Sequence, residues 1–386
     1  MKVAFVSQLD PADVLQWSGT PYNMVQALKA RGHQVKAIGP LKPCLPRLSK
    51  LIQRIYPKLF GRYLDLSRHR AFAHALSEQA KRDLAGESFD LVLCSSSLVA
   101  AGLEIDQPIV TWEDATFASM LNYYPGHWCN LSQSTIDSAH LLQRQSLDRA
   151  QLSVFASHWA AQSAICDYGC DPAKVVVIPL GANIAELPNL LVVRDAITQR
   201  AASGECRLLF LGVDWVRKGG DLVVETATLL NSRGIKTRVD VVGCLPDGPV
   251  PEFVTVHGFV SKRSAEGRDR LNQLMLAAHY LFVPSLAECY GLVYAEASAL
   301  GVPSLARDTG GVGTVVRDGI NGRTFPMDAP ARAYADFIAD QMSDGETYTQ
   351  AALQARRFYE QSLNWDAAIA QLEAEVSRRL DRTEAA

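Results

Sequence analysis

The chain has 386 residues, 48% of them hydrophobic and 20% charged, with a formal net charge of -3. That length exceeds what one hydrophobic core usually serves, so two domains are expected, and the composition is ordinary for a soluble globular enzyme. A net charge so close to zero gives no indication of nucleic-acid binding.

Targeting signals and disulfides are not expected from this sequence. The apolar run at residues 3–6 is too short for a signal peptide, and no run reaches the roughly twenty apolar residues of a membrane-spanning helix. The eight cysteines are scattered without a Cys-x-x-Cys pair. They are interpreted as thiols of a cytoplasmic protein and not as a disulfide framework or a zinc site.

The N-terminal segment predicts a strand, a helix and a second strand. KVAFVSQ is a short apolar run, and a polar loop with Trp17, Ser18 and Gly19 follows it. TPYNMVQALKARGH predicts a helix that Thr20 can cap and that ends at Gly32, and QVKAIGP predicts the next strand. This alternation predicts a parallel sheet of the Rossmann type. Further strand-like runs lie at 91–94, at 109–112, at 152–156 and in KVVVIPLGAN.

A second alternation of strands and helices begins at RLLFLG. Residues 184–205 before it are poorly periodic and interrupted by Pro188, so the interdomain linker is placed there. We therefore expect a Rossmann-like domain over 1–183, a second one over 206–362, and a C-terminal helix within 363–386. Because such domains bind ligands at the carboxyl ends of their strands, two facing units predict one cleft between them.

The segment 41–72 is strongly basic. Eight lysines and arginines are opposed by Asp65 alone, and apolar and basic residues alternate with the period of an amphipathic helix that Pro57 is expected to break. One interpretation is a surface helix whose apolar side packs on the first domain. The other is a basic, aromatic-rich surface for an anionic membrane or an anionic acceptor.

The segment PSLAECYGLVYAEASALGVPSLARDTGG carries the strongest functional signal. A strand ends at Pro284, Glu288 lies in the following loop, and Gly291 opens a helix that contains Glu296. The backbone amides near Gly291, Leu292 and Val293 can hold a diphosphate, because a helix N-terminus has unpaired N–H groups and a partial positive charge. A carboxylate at position 296 can accept hydrogen bonds from the two hydroxyls of a ribose.

This segment resembles the Glu-x7-Glu signature of retaining GT-B glycosyltransferases of family 4. The resemblance implies that Glu296 binds the ribose and that Glu288 contacts the donor sugar. FLGVDWVRKGGD resembles the phosphate-binding strand-loop-helix of that family, which implies that Lys218, with Arg217 beside it, stabilises the nucleoside diphosphate leaving group.

The match is densest from residue 208 to residue 325, and it has departures. HGFV at 257–260 resembles the loop whose backbone faces the base, which makes Val260 a donor-binding candidate. PLGAN at 179–183 and the LNW segment at 363–365 also match the family, and there the final helix crosses back to the first domain. Val213 and Thr314 differ from the arginine and the glutamate that are common in the family.

The first domain offers fewer candidates. Gly19 allows the loop after the first strand to approach the donor diphosphate, and Trp17 in the same loop is an acceptor-side candidate. TWEDATF follows another strand. Relatives often have a histidine or an aspartate there, so Asp114 is the catalytic candidate beside Lys218 and Glu288, and Glu113 is a weaker acceptor-side one. Asp114 can instead cap the helix that ATFASML predicts.

The resemblance implies a cytoplasmic retaining glycosyltransferase that transfers a sugar from a nucleotide sugar to a glycan, lipid-linked or small-molecule acceptor. UDP is the nucleotide expected, since it is the commonest among relatives. No cofactor is expected beyond this co-substrate, and no metal, because no His or carboxylate cluster has metal-ligand spacing. A nucleotide-sugar epimerase or hydrolase, and a non-catalytic nucleotide-sugar binder, remain the alternatives on the same scaffold.

Overall fold

The computed structural model describes residues 1–43, 47–124, 126 and 128–384, and for residues 47, 48, 50 and 380–384 it describes the backbone alone. The chain forms two compact units. Unit 1 comprises Met1–Ile178 and the chain from Ile369 onward, and unit 2 is Pro179–Ala368. Each unit contains one six-stranded sheet in which all strand pairs are parallel. This arrangement confirms the predicted α/β class.

Unit 1 has the strand order β2-β1-β3-β4-β5-β6. Its strands are almost wholly apolar because helices cover both faces of a parallel sheet. The order reverses between β1 and β3, which are neighbours in the sheet but not in the chain. The strands are β1 Lys2–Val6, β2 Gln34–Ile38, β3 Leu91–Cys94, β4 Ile109–Glu113, β5 Leu152–Phe155 and β6 Val175–Val177. The helices are α1 Thr20–Ala30, α2 Arg47–Phe60, α3 Arg70–Leu84, α4 Ser97–Ala100, α5 Phe117–Met120, α6 Gln133–Arg149 and α7 His158–Cys166.

Unit 2 has the strand order β12-β11-β10-β7-β8-β9, which is the order of a dinucleotide-binding Rossmann sheet. The reversal lies between β7 and β10. The strands are β7 Cys206–Leu211, β8 Thr237–Val242, β9 Val254–Val256, β10 Tyr280–Phe282, β11 Ser304–Arg307 and β12 Gly322–Phe325. The helices are α8 Leu190–Ala201, α9 Trp215–Lys218, α10 Gly220–Ser232, α11 Ala265–Ala277, α12 Leu292–Ala299, α13 Val312–Val315, α14 Ala331–Met342 and α15 Gly345–Ser362.

The sequence predicts an interdomain linker over residues 184–205. In the structure, most of these residues form helix α8, which belongs to unit 2. Asn189 caps α8, and Val193 and Ile197 are buried one turn apart. Arg200 donates to the carbonyl oxygens of Leu276, Ala278 and Gly301. The exposed Leu190, Leu191 and Val192 precede the buried Val193, so the sequence shows no clear apolar face.

The C-terminal helix α16, Trp365–Glu384, begins in unit 2 and continues into unit 1. Within unit 2, the indole of Trp365 donates to Oδ1 of Asn183 at 2.9 Å. Within unit 1, Arg31 donates two hydrogen bonds to the carboxylate of Glu373, at 3.0 and 2.7 Å. These hydrogen bonds from Arg31 hold the pKa of Glu373 below its usual value. The first residue of α16 and its middle therefore have specific polar partners.

Helix α2 leaves its apolar side largely in solvent. Leu51, Leu59 and Phe60 are 51%, 69% and 63% exposed, so for these residues the interpretation of an apolar side packed on the domain is wrong. The expected break at Pro57 is also wrong. The helix runs on through Pro57 to Phe60, although a proline inside a helix lacks the N–H for one intrahelical hydrogen bond. In the part of the chain that the structure describes, no helix is long and apolar enough to cross a bilayer.

The buried His279 of unit 2 gives a prediction about stability and pH. Its Nδ1 accepts the N–H of Arg207 at 3.1 Å, so Nε2 carries the proton and donates to the carbonyl of Arg200 at 2.9 Å. Burial lowers the pKa of His279 from 6.5 to about 4, so the unfolded chain binds the extra proton between these values. The free energy of unfolding should therefore decrease as the pH falls through this window, by about 3 kcal/mol at most.

His279→Gln should abolish this contribution, because glutamine does not titrate. Urea denaturation of both proteins at pH 7 and pH 4.5 measures it. An equal loss of stability in both proteins would contradict the prediction.

Candidate functional site

The candidate site of unit 2 lies where its strand order reverses. Strands β7 and β10 are adjacent, so the loops that follow them leave the sheet side by side. The first loop leads into α9 with Arg217 and Lys218, and the second carries Glu288. The fold thus brings the adjacent Arg217 and Lys218 together with Glu288, which is 70 positions away from Lys218 in the chain.

Lys218 and Glu288 form a direct ion pair between Nζ and Oε2. Both side chains are largely buried, and Ser285 donates a further hydrogen bond to the same carboxylate oxygen at 3.3 Å. Gly212 makes room for the lysine stem, since a Cβ at this glycine would lie 2.8 Å from Cγ of Lys218. The ammonium group has three N–H donors, and the ion pair engages one of its faces.

Arg217 is fixed to the loop that carries Glu288. Its Nη1 donates to the carbonyl of Ala287 at 2.9 Å and lies 3.8 Å from Oε2 of Glu288. Its backbone carbonyl accepts the N–H of Leu286 at 2.7 Å. Asp214 caps α9 and is 3.5 Å from the guanidinium. Two cations and two carboxylates therefore balance each other in a small volume.

Gly291 starts α12 in the left-handed conformation, with φ of +88°. A Cβ at this position would lie 2.5 Å from the ring of Tyr294, so the sharp entry into the helix requires glycine. Leu292 and Val293 are the first two residues of α12, where helix geometry leaves N–H groups without intrahelical acceptors. The amides proposed to hold a diphosphate thus follow directly after Glu288 and its loop.

Glu296 is buried on α12 and pairs with Lys262, a residue that the sequence analysis missed. Lys262 lies in the loop between β9 and α11, two residues after the donor-binding candidate Val260. The backbone of this loop is anchored by the N–H of Gly243, which donates to the carbonyl of Gly258 at 2.8 Å. A lone lysine in a loop carries no sequence signal, and only the fold shows its contact with Glu296.

Trp17 and Asp114 meet in unit 1. The indole N–H of Trp17 donates to Oδ2 of Asp114 at 3.0 Å, across 97 positions of sequence. Trp17, Ser18 and Gly19 have φ values of +46°, +54° and +86°, so this loop holds three consecutive left-handed residues. Left-handed conformations are costly for residues other than glycine, and they cluster at functional sites.

Glu113 and Asp114 have opposite environments although they are neighbours. Glu113 is buried at the end of β4 and accepts hydrogen bonds from the N–H of Ser97 at 2.7 Å and from Gln143 at 3.2 Å. Burial raises its pKa above the usual value. The carboxylate of Glu113 is thus held inside the unit, and its acceptor-side role stays a prediction. The alternative role of Asp114 as a helix cap is wrong, since Thr116 caps α5.

Two family models match the chain. The model described as Glycosyltransferase Family 4 matches residues 20–186, and the model described as Glycosyl transferases group 1 matches residues 205–344. Together they span most of the chain and both sheets. The chain belongs to this glycosyltransferase family.

Curated relatives of this chain are described as D-inositol 3-phosphate glycosyltransferase. The protein of Jonesia denitrificans is 28% identical over 226 residues, which are 52% of this chain and 50% of the relative. The protein of Nocardia farcinica is 32% identical over 203 residues, which are 48% of this chain and 44% of the relative. The chain thus spans about half the length of the curated relatives it matches.

Solved glycosyltransferase structures match the whole chain at low identity. Sucrose-phosphate synthase of Thermosynechococcus elongatus has a TM-score of 0.68 at 18% identity and covers 99% of this chain and 100% of its own. HepE of Anabaena in complex with UDP has a TM-score of 0.65 at 17% identity, with coverages of 98% and 100%. These similarities show the fold, which is GT-B with two Rossmann-like units, as predicted.

The ion pair between Lys218 and Glu288 gives a prediction that does not depend on function. Lys218→Met should lower the free energy of unfolding by about 3 kcal/mol, because it leaves a buried carboxylate without its main partner. Adding Glu288→Gln should restore part of the loss, with a coupling energy of about 1–3 kcal/mol. Urea denaturation of the four proteins measures this coupling.

The exposed pair of Arg233 and Asp336 in the same unit, 2.7 Å apart, provides a matched control. Its coupling energy should stay below about 1 kcal/mol. Strictly additive effects of the Lys218 and Glu288 substitutions would show that the buried pair does not form in solution.

Proposed function

We propose that this chain transfers a sugar, with retention of the anomeric configuration, from a nucleotide sugar to an acceptor hydroxyl. The observation that carries the proposal is the meeting of Lys218, Arg217 and Glu288 next to the N-terminus of α12. Cations beside helix amides suit a diphosphate, and a carboxylate within the same cluster suits the hydroxyls of a sugar.

Unit 2 is proposed to hold the donor. Glu296 would accept hydrogen bonds from the two ribose hydroxyls, and the loop with Val260 would face the base. The amides of Leu292 and Val293 would approach the diphosphate. A UDP-sugar is the proposed donor, and the solved complexes of HepE with UDP and with UDP-glucose offer a precedent within this fold.

Lys218 and Arg217 would stabilise the leaving nucleoside diphosphate. As the bond between the anomeric carbon and the phosphate oxygen breaks, negative charge grows on that oxygen, and fixed cations lower the energy of this transition state. The acceptor hydroxyl attacks the same face of the sugar, forms the new glycosidic bond and gives its proton to the departing phosphate. Glu288 would orient the sugar. No covalent intermediate between Glu288 and the sugar is part of this scheme. No metal is proposed in this scheme.

Unit 1 is proposed to bind the acceptor. Asp114 would touch the reacting sugar or the attacking hydroxyl, and Trp17 would hold its carboxylate in place through the 3.0 Å hydrogen bond. Trp17 is thus a positioning residue in this proposal.

The activity itself is tested by incubating the protein with UDP-sugars and candidate acceptors. Release of UDP together with a new α-linked product from an α-linked donor would support retaining transfer. Free sugar alone would identify a hydrolase, an altered nucleotide sugar would identify an epimerase, and binding without either product would identify a non-catalytic binder.

The ribose role of Glu296 gives a second test. Glu296→Gln should weaken UDP binding about 10- to 100-fold, because hydrogen bonds from the ribose hydroxyls to a charged acceptor are replaced by neutral ones. Calorimetric titration measures this, with 2′,3′-dideoxy-UDP as the control ligand. The control should bind both proteins equally. An equal loss for both nucleotides would refute a ribose contact.

We also propose that α2 attaches the protein to an anionic membrane surface in the cytoplasm. Arg54, Lys58 and Arg62 are exposed beside the exposed apolar residues of α2, which is the pattern of an interfacial helix. Each basic residue near an anionic surface contributes about 1 kcal/mol.

Reversing the charges of Arg54, Lys58 and Arg62 to glutamate should abolish binding to vesicles that contain phosphatidylserine, measured by co-sedimentation. Leu59→Ser with Phe60→Ser should weaken the binding as well, because both side chains lose their apolar contact. Arg332→Glu, an equally exposed site on unit 2, is the control and should leave binding unchanged. A wild-type protein that stays in the supernatant would end this proposal.

A further inference from the structure

Arg68 lies on an aromatic platform beside the end of β4 in unit 1. It ends a short 3-10 helix, Leu66–Arg68, and its guanidinium is 3.6 Å from the ring centroid of Trp128 and 5.3 Å from that of Phe117. Phe117 starts α5, three residues after the catalytic candidate Asp114. Arg68 therefore lies in the part of unit 1 that is proposed to bind the acceptor.

The guanidinium of Arg68 is incompletely hydrogen-bonded within the described chain. Its Nε is buried without an acceptor, and the nearest carboxylate, Asp65, is 3.8 Å away, beyond hydrogen-bond distance. Asp65 accepts hydrogen bonds from the N–H and the hydroxyl of Ser67 instead. The carboxylate of Glu113 is likewise held by other donors. Arg68 thus forms a loose ion pair with Asp65 but no hydrogen bond to it.

A mostly buried cation without hydrogen bonds is costly unless it serves a ligand. The side chain of Arg68 is 16% exposed, so part of it remains within reach of solvent. Burial also lowers the pKa of the guanidinium from its usual value, because the charged form has lost water. An incoming anion would replace that lost solvation.

The platform is built with backbone strain. Trp128 has a φ of +50°, and Asn122 and Asn130 on either side have +60° and +57°. Asn130 donates to the carbonyl of Gly61 at 2.6 Å, which ties this segment to the end of α2. Non-glycine residues in the left-handed region cluster at ligand clamps, so the strained segment points to a function for the ring of Trp128.

We propose that Arg68 binds an oxyanion, a phosphate or a carboxylate, that is part of the acceptor. A guanidinium stacked on an indole keeps the edge with its N–H donors available, and this planar fork matches both kinds of oxyanion. The assignment of the anion to the acceptor rests on the proposed function, whereas the anion site itself does not. The acceptor class is thereby narrowed to molecules that carry a phosphate or a carboxylate.

The test uses three sugars that differ in one group. Protein saturated with UDP is titrated calorimetrically with glucose 6-phosphate, with glucuronate and with neutral glucose. At least one of the two anionic sugars should bind about tenfold or more tightly than glucose, since hydrogen bonds to charged groups are the strong ones. The two arms distinguish phosphate from carboxylate. A wild-type protein that binds neither anion more tightly than glucose would overturn the proposal.

Two variants with opposite expected effects locate the anion. Arg68→Met should abolish the preference over glucose while leaving UDP affinity unchanged, and a preference that persists would overturn the proposal. Asp65→Asn should increase the preference, because it removes the carboxylate that lies 3.8 Å from Arg68 while keeping an oxygen for Ser67. This second variant and the wild-type titration decide the question even if Arg68→Met does not fold.

A vesicle-binding experiment distinguishes an anion of the acceptor from the headgroup of a membrane lipid. Arg68→Met should bind vesicles containing phosphatidylserine as the wild type does, because the residues of α2 are intact. Loss of vesicle binding would overturn the assignment to the acceptor and place the anion in a lipid headgroup. UDP binding is measured separately, so failure of the donor site and failure of the Arg68 site remain distinguishable.

Discussion

The reversal of strand order between β7 and β10 is the constraint on which the candidate site of unit 2 depends. It places two loops side by side, and the ion pair of Lys218 with Glu288 joins them. Glycines then set the distances, because Gly212 admits the lysine stem and Gly291 admits the ring of Tyr294. A side chain at either glycine would push apart the groups that are proposed to bind the diphosphate and the sugar.

Charge compensation is the common feature of this site. Lys218 faces Glu288, Lys262 faces Glu296, and Arg217 lies between Asp214 and Glu288. Buried carboxylates are costly without partners, so each cation stabilises an acid in the ligand-free protein. A bound nucleotide sugar would bring its own hydroxyls and phosphates to the same groups. In the proposed complex, the cations would exchange part of their contacts with internal carboxylates for contacts with the diphosphate.

Unit 1 separates its two adjacent acids by environment. Glu113 ends a strand and is buried, whereas Asp114 begins the loop and is held by Trp17. The rings of Phe117 and Trp128 contact the guanidinium of Arg68. The strained segment that contains Trp128 is hydrogen-bonded to the residue after α2 through Asn130. The segment around Trp128 and the end of α2 are therefore neighbours in unit 1.

Much of the fold could be predicted from the sequence. Apolar runs such as KVAFVSQ and RLLFLG indicated buried parallel strands, and the spacing of Gly291 and Glu296 indicated a helix that starts at a glycine. These features are local, because strand burial and helix termini are encoded within a few neighbouring residues. Helix α8 was not predicted, because only Val193 and Ile197 form its buried apolar face and this pattern is too short to be recognised.

The amphipathic pattern of residues 41–72 was determined by the sequence, but whether its apolar side is buried was not. Exposure depends on which surfaces the rest of the chain offers, and the structure leaves Leu51, Leu59 and Phe60 in solvent. In the same way, the sequence named Asp114, Trp17, Lys218 and Glu288 as separate candidates. Only the tertiary structure decided that they meet in pairs, that Lys262 pairs with Glu296 and that Glu113 is buried. Contacts across tens of positions depend on strand order and not on local sequence pattern.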